Sequence, residues 1–324
     1  MNLGNMDRTR FIILLPLLLF LFDSADAQRK FETSKVMGLT VGTGYYLGEM
    51  NPYGHFKGRF QPGFGGFMRF NMTRRLGIKA SLNRTVLLYH DSDSNDPWIA
   101  NRNLHFRNAI TEGAVVAEFN YTRYQIGNTK DRFAGYLFAG LSLYSHMPEA
   151  QIGDIWYELQ PLGTEGQGTT AGGQRYATTG FAVPFGFGVK FNLGHFSAIN
   201  FEWGMRRTWT DHLDDIGGYY ASIAVLEEES GPLAEELSES RIEKEGGLED
   251  PVGQMRGYNG LDDRFAVMNL SFTFRIDKSP TTCWDRWSSV KQGEKLPIPD
   301  RKGRSTLHLH PVVRTSAAAL ECMP

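Results

Sequence analysis

A chain of 324 residues with 41% hydrophobic content, net charge −2 and mean hydropathy −0.34 is long enough for a large core, yet after its N-terminus it holds no apolar run long enough for a membrane-spanning helix. The near-neutral charge gives no global pull toward nucleic acid, and two cysteines, Cys283 and Cys322, both late in the chain, exclude a disulfide framework or a cysteine zinc site in the main body. A content of 36 glycines and 13% aromatics fits a β-rich chain in which polar and apolar faces alternate, a design that also averages to modest hydropathy.

The first 27 residues read as a cleavable secretory signal. Arg8 and Arg10 form its positive end, 11–22 its apolar run, and Ala25-Asp26-Ala27 a small-residue cleavage site. A retained signal anchor is the alternative, but the run is short for a span and the cleavage motif follows at once. The mature chain is expected to begin at Gln28 and to be exported. An oxidising compartment would permit a bridge between Cys283 and Cys322, which the sequence leaves open.

Period-two alternation then recurs eight times, as expected of strands. The first covers 36–47, with Met37, Leu39, Val41, Thr43, Tyr45 and Leu47 on one face, and the second 63–71, with Phe64, Met68 and Phe70 outward. Strands follow at 76–88, 104–121 and 133–144. The clearest case is 181–192: Phe181, Val183, Phe185, Phe187, Val189 and Phe191 alternate with Ala182, Pro184, Gly186, Gly188, Lys190 and Asn192. The last two strands span 196–209 and 264–276.

The connections sort by parity. Those at 72–75, 122–132 and 193–195 are short or intermediate, whereas 48–62, 89–103, 145–179 and 210–263 are long and polar. A soluble sandwich has no reason to sort its loops in this way. An even-stranded outer-membrane barrel does, with short periplasmic turns and long external loops. The expected fold is therefore all-β: an eight-stranded antiparallel up-and-down transmembrane β-barrel, OmpA-like, over 28–276, followed by a poorly ordered periplasmic tail over 277–324. Its lumen would collect Arg69, Lys79, Glu112, Glu118, Lys190, Glu202, Arg206 and Arg275, both signs together, as a structural plug rather than an ion pathway.

Motifs for chemistry are weak. Asp91-Ser-Asp93-Ser-Asn95 begins like a calcium loop, but Asp96 stands where such a loop needs Gly and Arg102 where it needs Glu, so a solvated acidic loop is expected. The glycines of Gly163-Thr-Glu-Gly166-Gln-Gly168 follow no strand and lack a phosphate-binding Lys. There is neither G-x-S-x-G nor H-E-x-x-H; His105 and His212 are the rim histidines a lipid-modifying barrel enzyme would use. Asp211, Asp214 and Asp215 beside His212 form the densest polar cluster and read as a rim motif that orders the last external loop. The acidic stretch 227–250 reads as solvated and mobile. No catalytic, cofactor-binding or metal-ligating residue is assigned.

Several segments together resemble one family. They are Tyr45-Tyr46-Leu47-Gly48-Glu49-Met50-Asn51-Pro52, Asn101-Arg102-Asn103-Leu104, and the run Trp156-Tyr157-Glu158-Leu159-Gln160-Pro161-Leu162-Gly163-Thr164-Glu165-Gly166-Gln167-Gly168. Pro184-Phe185-Gly186 and Glu202-Trp203-Gly204-Met205-Arg206, leading to Thr210-Asp211-His212-Leu213-Asp214-Asp215, complete the set. The chain resembles the PorG-like outer-membrane β-barrels of the type IX secretion and gliding machinery. The resemblance implies a non-enzymatic barrel that couples periplasmic ring or lipoprotein components to the outer membrane, with 122–132 and the tail as contact surfaces. The acidic insertion and the long tail depart from the family pattern. A stand-alone surface-binding barrel using 145–179 and 210–263 is the second expectation, and a lipid-modifying enzyme the third.

Overall fold

The structure, a computed structural model, describes residues 33–51, 54–56, 59–128, 130–170, 172–242, 251–258 and 262–277. The barrel lies within the compact unit that ends at Arg275. The expected signal peptide, residues 243–250 of the acidic stretch, the tail beyond Asp277 and both cysteines lie outside the described residues.

The strands are β1 (Ser34–Leu47), β2 (Gln61–Asn71), β3 (Leu76–His90), β4 (His105–Asn120), β5 (Phe133–Ser145), β6 (Pro148–Ile152), β7 (Ile155–Glu158), β8 (Thr179–Asn192), β9 (Ser197–Arg207) and β10 (Arg264–Arg275). Eight of them, β1-β2-β3-β4-β5-β8-β9-β10, pair antiparallel with each neighbour, and β10 returns to β1 to close an up-and-down barrel. All eight expected strands are present, and the four long connections share one end. Closure leaves no unpaired sheet edge, which hydrocarbon would penalise by several kcal/mol per group.

Two expectations about the loops need correction. Residues 146–178 carry the β6–β7 hairpin, which prolongs β4 through the Arg107–Glu149 and Asn108–Pro148 pairs. The described part of the acidic stretch is not a mobile loop. It forms a helical turn over Leu226–Ser230 and a helix over Pro232–Ser238, with Ala234 and Leu237 buried and Leu237 packed against Ala150 and Leu159. The signal is the apolar spacing of Leu226, Leu233, Ala234 and Leu237, which a count of glutamates hides.

The pleat turns Leu39, Val41, Phe64, Leu141, Phe181, Phe187 and Leu270 outward, all more than 40% exposed. Lys35 bounds this oily band at one end, and Arg84, Arg207 and Arg264 point outward at the other. A continuous apolar girdle of this kind is untenable in water and is the lipid-facing surface of a transmembrane barrel. The small even-numbered residues of β8 face inward to make room. A Cβ on Gly188 would lie 2.6 Å from the Tyr136 hydroxyl, and one on Gly204 of β9 would collide with the Phe138 ring. Pro184 has no N–H to give, and the β5–β8 ladder breaks opposite it, between Ala139–Phe185 and Ser142–Ala182.

Replacing Leu39 with Arg, near the middle of the girdle, is expected to destabilise the barrel by about 2–4 kcal/mol in a lipid environment. Urea titration of protein refolded into vesicles measures this. The same exchange at Thr122, on a short turn, is expected to be near neutral.

Candidate functional site

Inside the barrel the predicted charges meet. Glu118 takes Arg69 at 2.8 Å, Lys190 at 2.6 Å and Lys79 at 3.4 Å. Lys79 also pairs with Glu202, which accepts a 2.8 Å hydrogen bond from the Tyr136 hydroxyl. Arg206 pairs with Glu112 at 3.1 Å, and Arg275, nearer the short-turn end, donates to the Ile126 carbonyl. Aromatic faces complete the cage: Arg69 sits 4.8 Å from the centre of Phe67, and Lys190 4.1 Å from that of Tyr136. The void left among these side chains is about 20 Å³, enough for a water or two. The network fills the lumen.

Both mouths are closed as well. At the short-turn end Tyr124 and Ile126 fold inward against Val36, Ala134 and Ala198. At the long-loop end Leu213 and Ile216 enter the mouth and pack with Tyr46, Leu87, Phe106, Ile110 and Phe265.

A polar weld holds the long loops over this hydrophobic seal. Asp91 accepts both nitrogens of a bidentate Arg102, at 2.7 and 2.9 Å, and the Leu104 amide at 3.0 Å. Asp91 is therefore buried rather than solvated, with a guanidinium as its counter-charge, whereas Asn95, Asp96 and Asp93, the last paired with Arg59, are exposed. Arg102 also donates to the Arg256 carbonyl at 2.7 Å. Arg256 in turn donates to Glu165 at 3.1 Å and to the Asp215 carbonyl at 2.5 Å. Glu165 accepts the amides of Gly217 and Gly218, and Asp215 accepts the hydroxyls of Thr164 and Tyr176.

The run 156–168 thus docks on 211–218. Gly163, Gly166 and Gly168 adopt φ of 64°, 82° and 86°, so they shape the loop backbone rather than cradle a phosphate. Gln160 donates to the Tyr176 carbonyl, next to Pro161, and Trp156 lies 4.1 Å from the Arg107 guanidinium.

Asp214 belongs to a second group. The single Tyr46 hydroxyl lies within hydrogen-bond reach of three carboxylates: Asp214 at 2.6 Å, Glu49 at 3.2 Å and Asp263. The carboxyl of Asp211 faces that of Glu49. Burial raises all four carboxyls above the usual range, and neighbouring negative charge adds to the rise at each. Burial also pushes Asp215 up to about 6, with Arg256 opposing. Sequence reasoning singled out Asp211 and Asp214 and, within the family-resembling segments, quoted Tyr46, Glu49 and Arg102 without assigning them a role; it missed Asp263 and Arg256. Nothing local marks these as partners, because 217 residues separate Tyr46 from Asp263.

His105 stacks on His90 and accepts the Gln151 amide, while His212 stacks on Tyr176 at 4.5 Å and His146 stacks on the same ring at 6.3 Å. Burial pushes the His146 ring down to about 4 and lowers His212. Among the described residues no hydroxyl hydrogen-bonds to either of the two candidate histidines, His105 and His212.

The profile of a family described as "Domain of unknown function (DUF6089)" matches residues 9–225. No protein of curated function matches the sequence. Among solved structures, the chain is similar to Ail, the attachment invasion locus protein of Yersinia pestis (10% identity, 76% of this chain and 100% of that one, TM-score 0.36). It is also similar to Neisserial surface protein A (8%, 76% and 100%, TM-score 0.36) and to the outer membrane protein OprG of Pseudomonas aeruginosa (6%, 77% and 98%, TM-score 0.34). At these identities and scores the likenesses carry no argument about function.

Carboxyls raised by burial stabilise the folded cap below the ordinary carboxylate value of about 4. They lose that contribution as pH rises through their folded values, about 6 for Asp215. In metal-free buffer, proteolytic nicking of 208–263, normalised to an unfolded substrate, is expected to be slower at pH 5 than at pH 8. Exchanging Arg256 for Met leaves Glu165 and Asp215 buried without their cation, and is expected to cost the cap about 3–5 kcal/mol, read as the same nicking at pH 7.

Proposed function

The chain belongs to the DUF6089 family, and we propose that it is a non-conducting outer-membrane barrel that anchors a protein-secretion assembly, of the type IX kind, through its periplasmic rim. The observation that carries this reading is the filled lumen. With charges paired inside and apolar residues in both mouths, the barrel offers no conduit, so its work lies at its ends.

The short-turn end, periplasmic in this orientation, supports a contact role. Arg75, Arg123, Lys130 and Arg132 are exposed there, and among the described residues none of them forms an ion pair with a carboxylate. Such a rim suits an acidic partner surface. The assignment to a type IX assembly follows from the resemblance of 45–52, 156–168 and 202–215 to the PorG-like barrels.

A clean deletion is expected to abolish export of cargo while leaving the outer membrane intact, and the full chain is expected to co-purify with periplasmic ring or lipoprotein components from mildly solubilised membranes. Glutamate in place of Arg75, Arg123 and Arg132 together is expected to remove those partners without loss of the folded barrel. Undiminished export in the deletion strain, or steady single-channel conductance of the purified protein in planar bilayers, contradicts the proposal.

A further inference from the structure

The group around Tyr46 gathers more carboxyl oxygens than the donors around it answer. One hydroxyl proton serves Glu49, Asp214 and Asp263, and Asp211 adds a fourth carboxylate against Glu49. Backbone amides answer two of the remaining oxygens: Leu213 donates to Asp263 and Ile216 to Asp214. Glu49 Oε1 and Asp211 Oδ1 have no donor, although Glu49 is only 8% exposed. Among the described residues no Lys or Arg comes within ion-pair distance of any of the four; Arg102 and Arg256 are engaged by Asp91, Glu165 and Asp215. Buried carboxyl oxygens without donors are costly, and either a shared proton or a bound cation relieves that cost.

The geometry suits a cation. Glu49, Asp211 and Asp263 each present an oxygen such that all three lie within 4.8 Å of one another. The backbone is drawn close over them. The Asn51 amide closes a turn onto the Gly48 carbonyl, which sets Glu49 at its tip, and a Cβ on Gly48 would collide with Tyr46 Oη and Asp263 Oδ1. We propose that Glu49, Asp211 and Asp263 bind a divalent cation, calcium by preference, which staples the 48–60 loop to the 208–263 loop over the external mouth. The donor set is all oxygen with no thiolate or imidazole, which selects a hard cation. Side chains from separate loops and two sequence-distant segments make an irregular cage that calcium tolerates and magnesium, with its strict octahedron, does not.

This site is independent of the secretion role and concerns only the cap. The test uses the full chain purified in detergent and stripped with chelator. Terbium, a calcium mimic, is expected to luminesce on excitation of tyrosine, since Tyr46 touches the site, and calcium is expected to displace it. Calcium at about 1 mM, the range of extracellular calcium modules, is expected to slow nicking of 208–263 several-fold, with magnesium much weaker. The variants E49Q and D211N are expected to lose both responses, while D93N, at the exposed Arg59 pair, keeps them. Heat-modifiable migration in gels checks that each variant still forms the barrel. The proposal is overturned if wild-type protein shows no calcium-displaceable luminescence, or if folded E49Q and D211N respond to calcium as wild type does. It is also overturned if E49Q alone protects the cap at pH 8 without calcium while the wild type stays unresponsive, because a shared proton then explains the cluster.

Discussion

Everything in this molecule follows from the pairing of its first strand with its last. β1 and β10 meet over twelve residue pairs, from Val36–Arg275 to Leu47–Arg264, and that seam turns a sheet into a cylinder. Once closed, the pleat allows only two destinations for a side chain. Outward residues contact lipid and are greasy; inward residues contact one another across a space that eight strands leave barely wide enough.

The interior is therefore a packing problem with charges in it. Four cations, Arg69, Lys79, Lys190 and Arg206, share Glu112, Glu118 and Glu202, and aromatic faces at Phe67, Tyr136 and Phe138 supply further contact to the cations. Desolvation makes each of these groups costly alone, so removing any one strands its partners. Glycines at 188 and 204 are the complement of the large rings opposite. The result is a rigid post through the bilayer, with apolar seals at its two ends.

The barrel was legible because its signal is periodic and local. Alternation in 36–47, 63–71 and 181–192 names the lipid face residue by residue, and loop parity supplies the topology. The inward side of the same alternation yields the eight lumen charges, though not their pairing. The cap was illegible for the opposite reason: its contacts join residues far apart in sequence. Asp91 resembled the start of a calcium loop and is held by Arg102; 227–242 resembled a solvated acidic tract and buries Ala234 and Leu237. The residues that hold the cap are spread over loops at 49, 102, 165, 211–215, 256 and 263. The resemblance in 45–52, 101–104, 156–168 and 210–215 marked part of that set, and it marked the residues without their partners.

Adjacent tyrosines on β1 couple two environments that are otherwise separated by the barrel wall. Tyr46 points inward to the carboxylates that tie the loops, while Tyr45, one residue earlier, points outward and accepts the Trp203 indole N–H at 3.2 Å. Around Tyr45 gather His55 and Phe56 of the same loop that carries Glu49, an aromatic cluster of the kind enriched where a membrane meets water. The ring cluster on the outer wall and the hydrogen bonds that close the long-loop end thus hang from neighbouring residues of one strand, so a displacement of β1 at 45–46 would disturb both together.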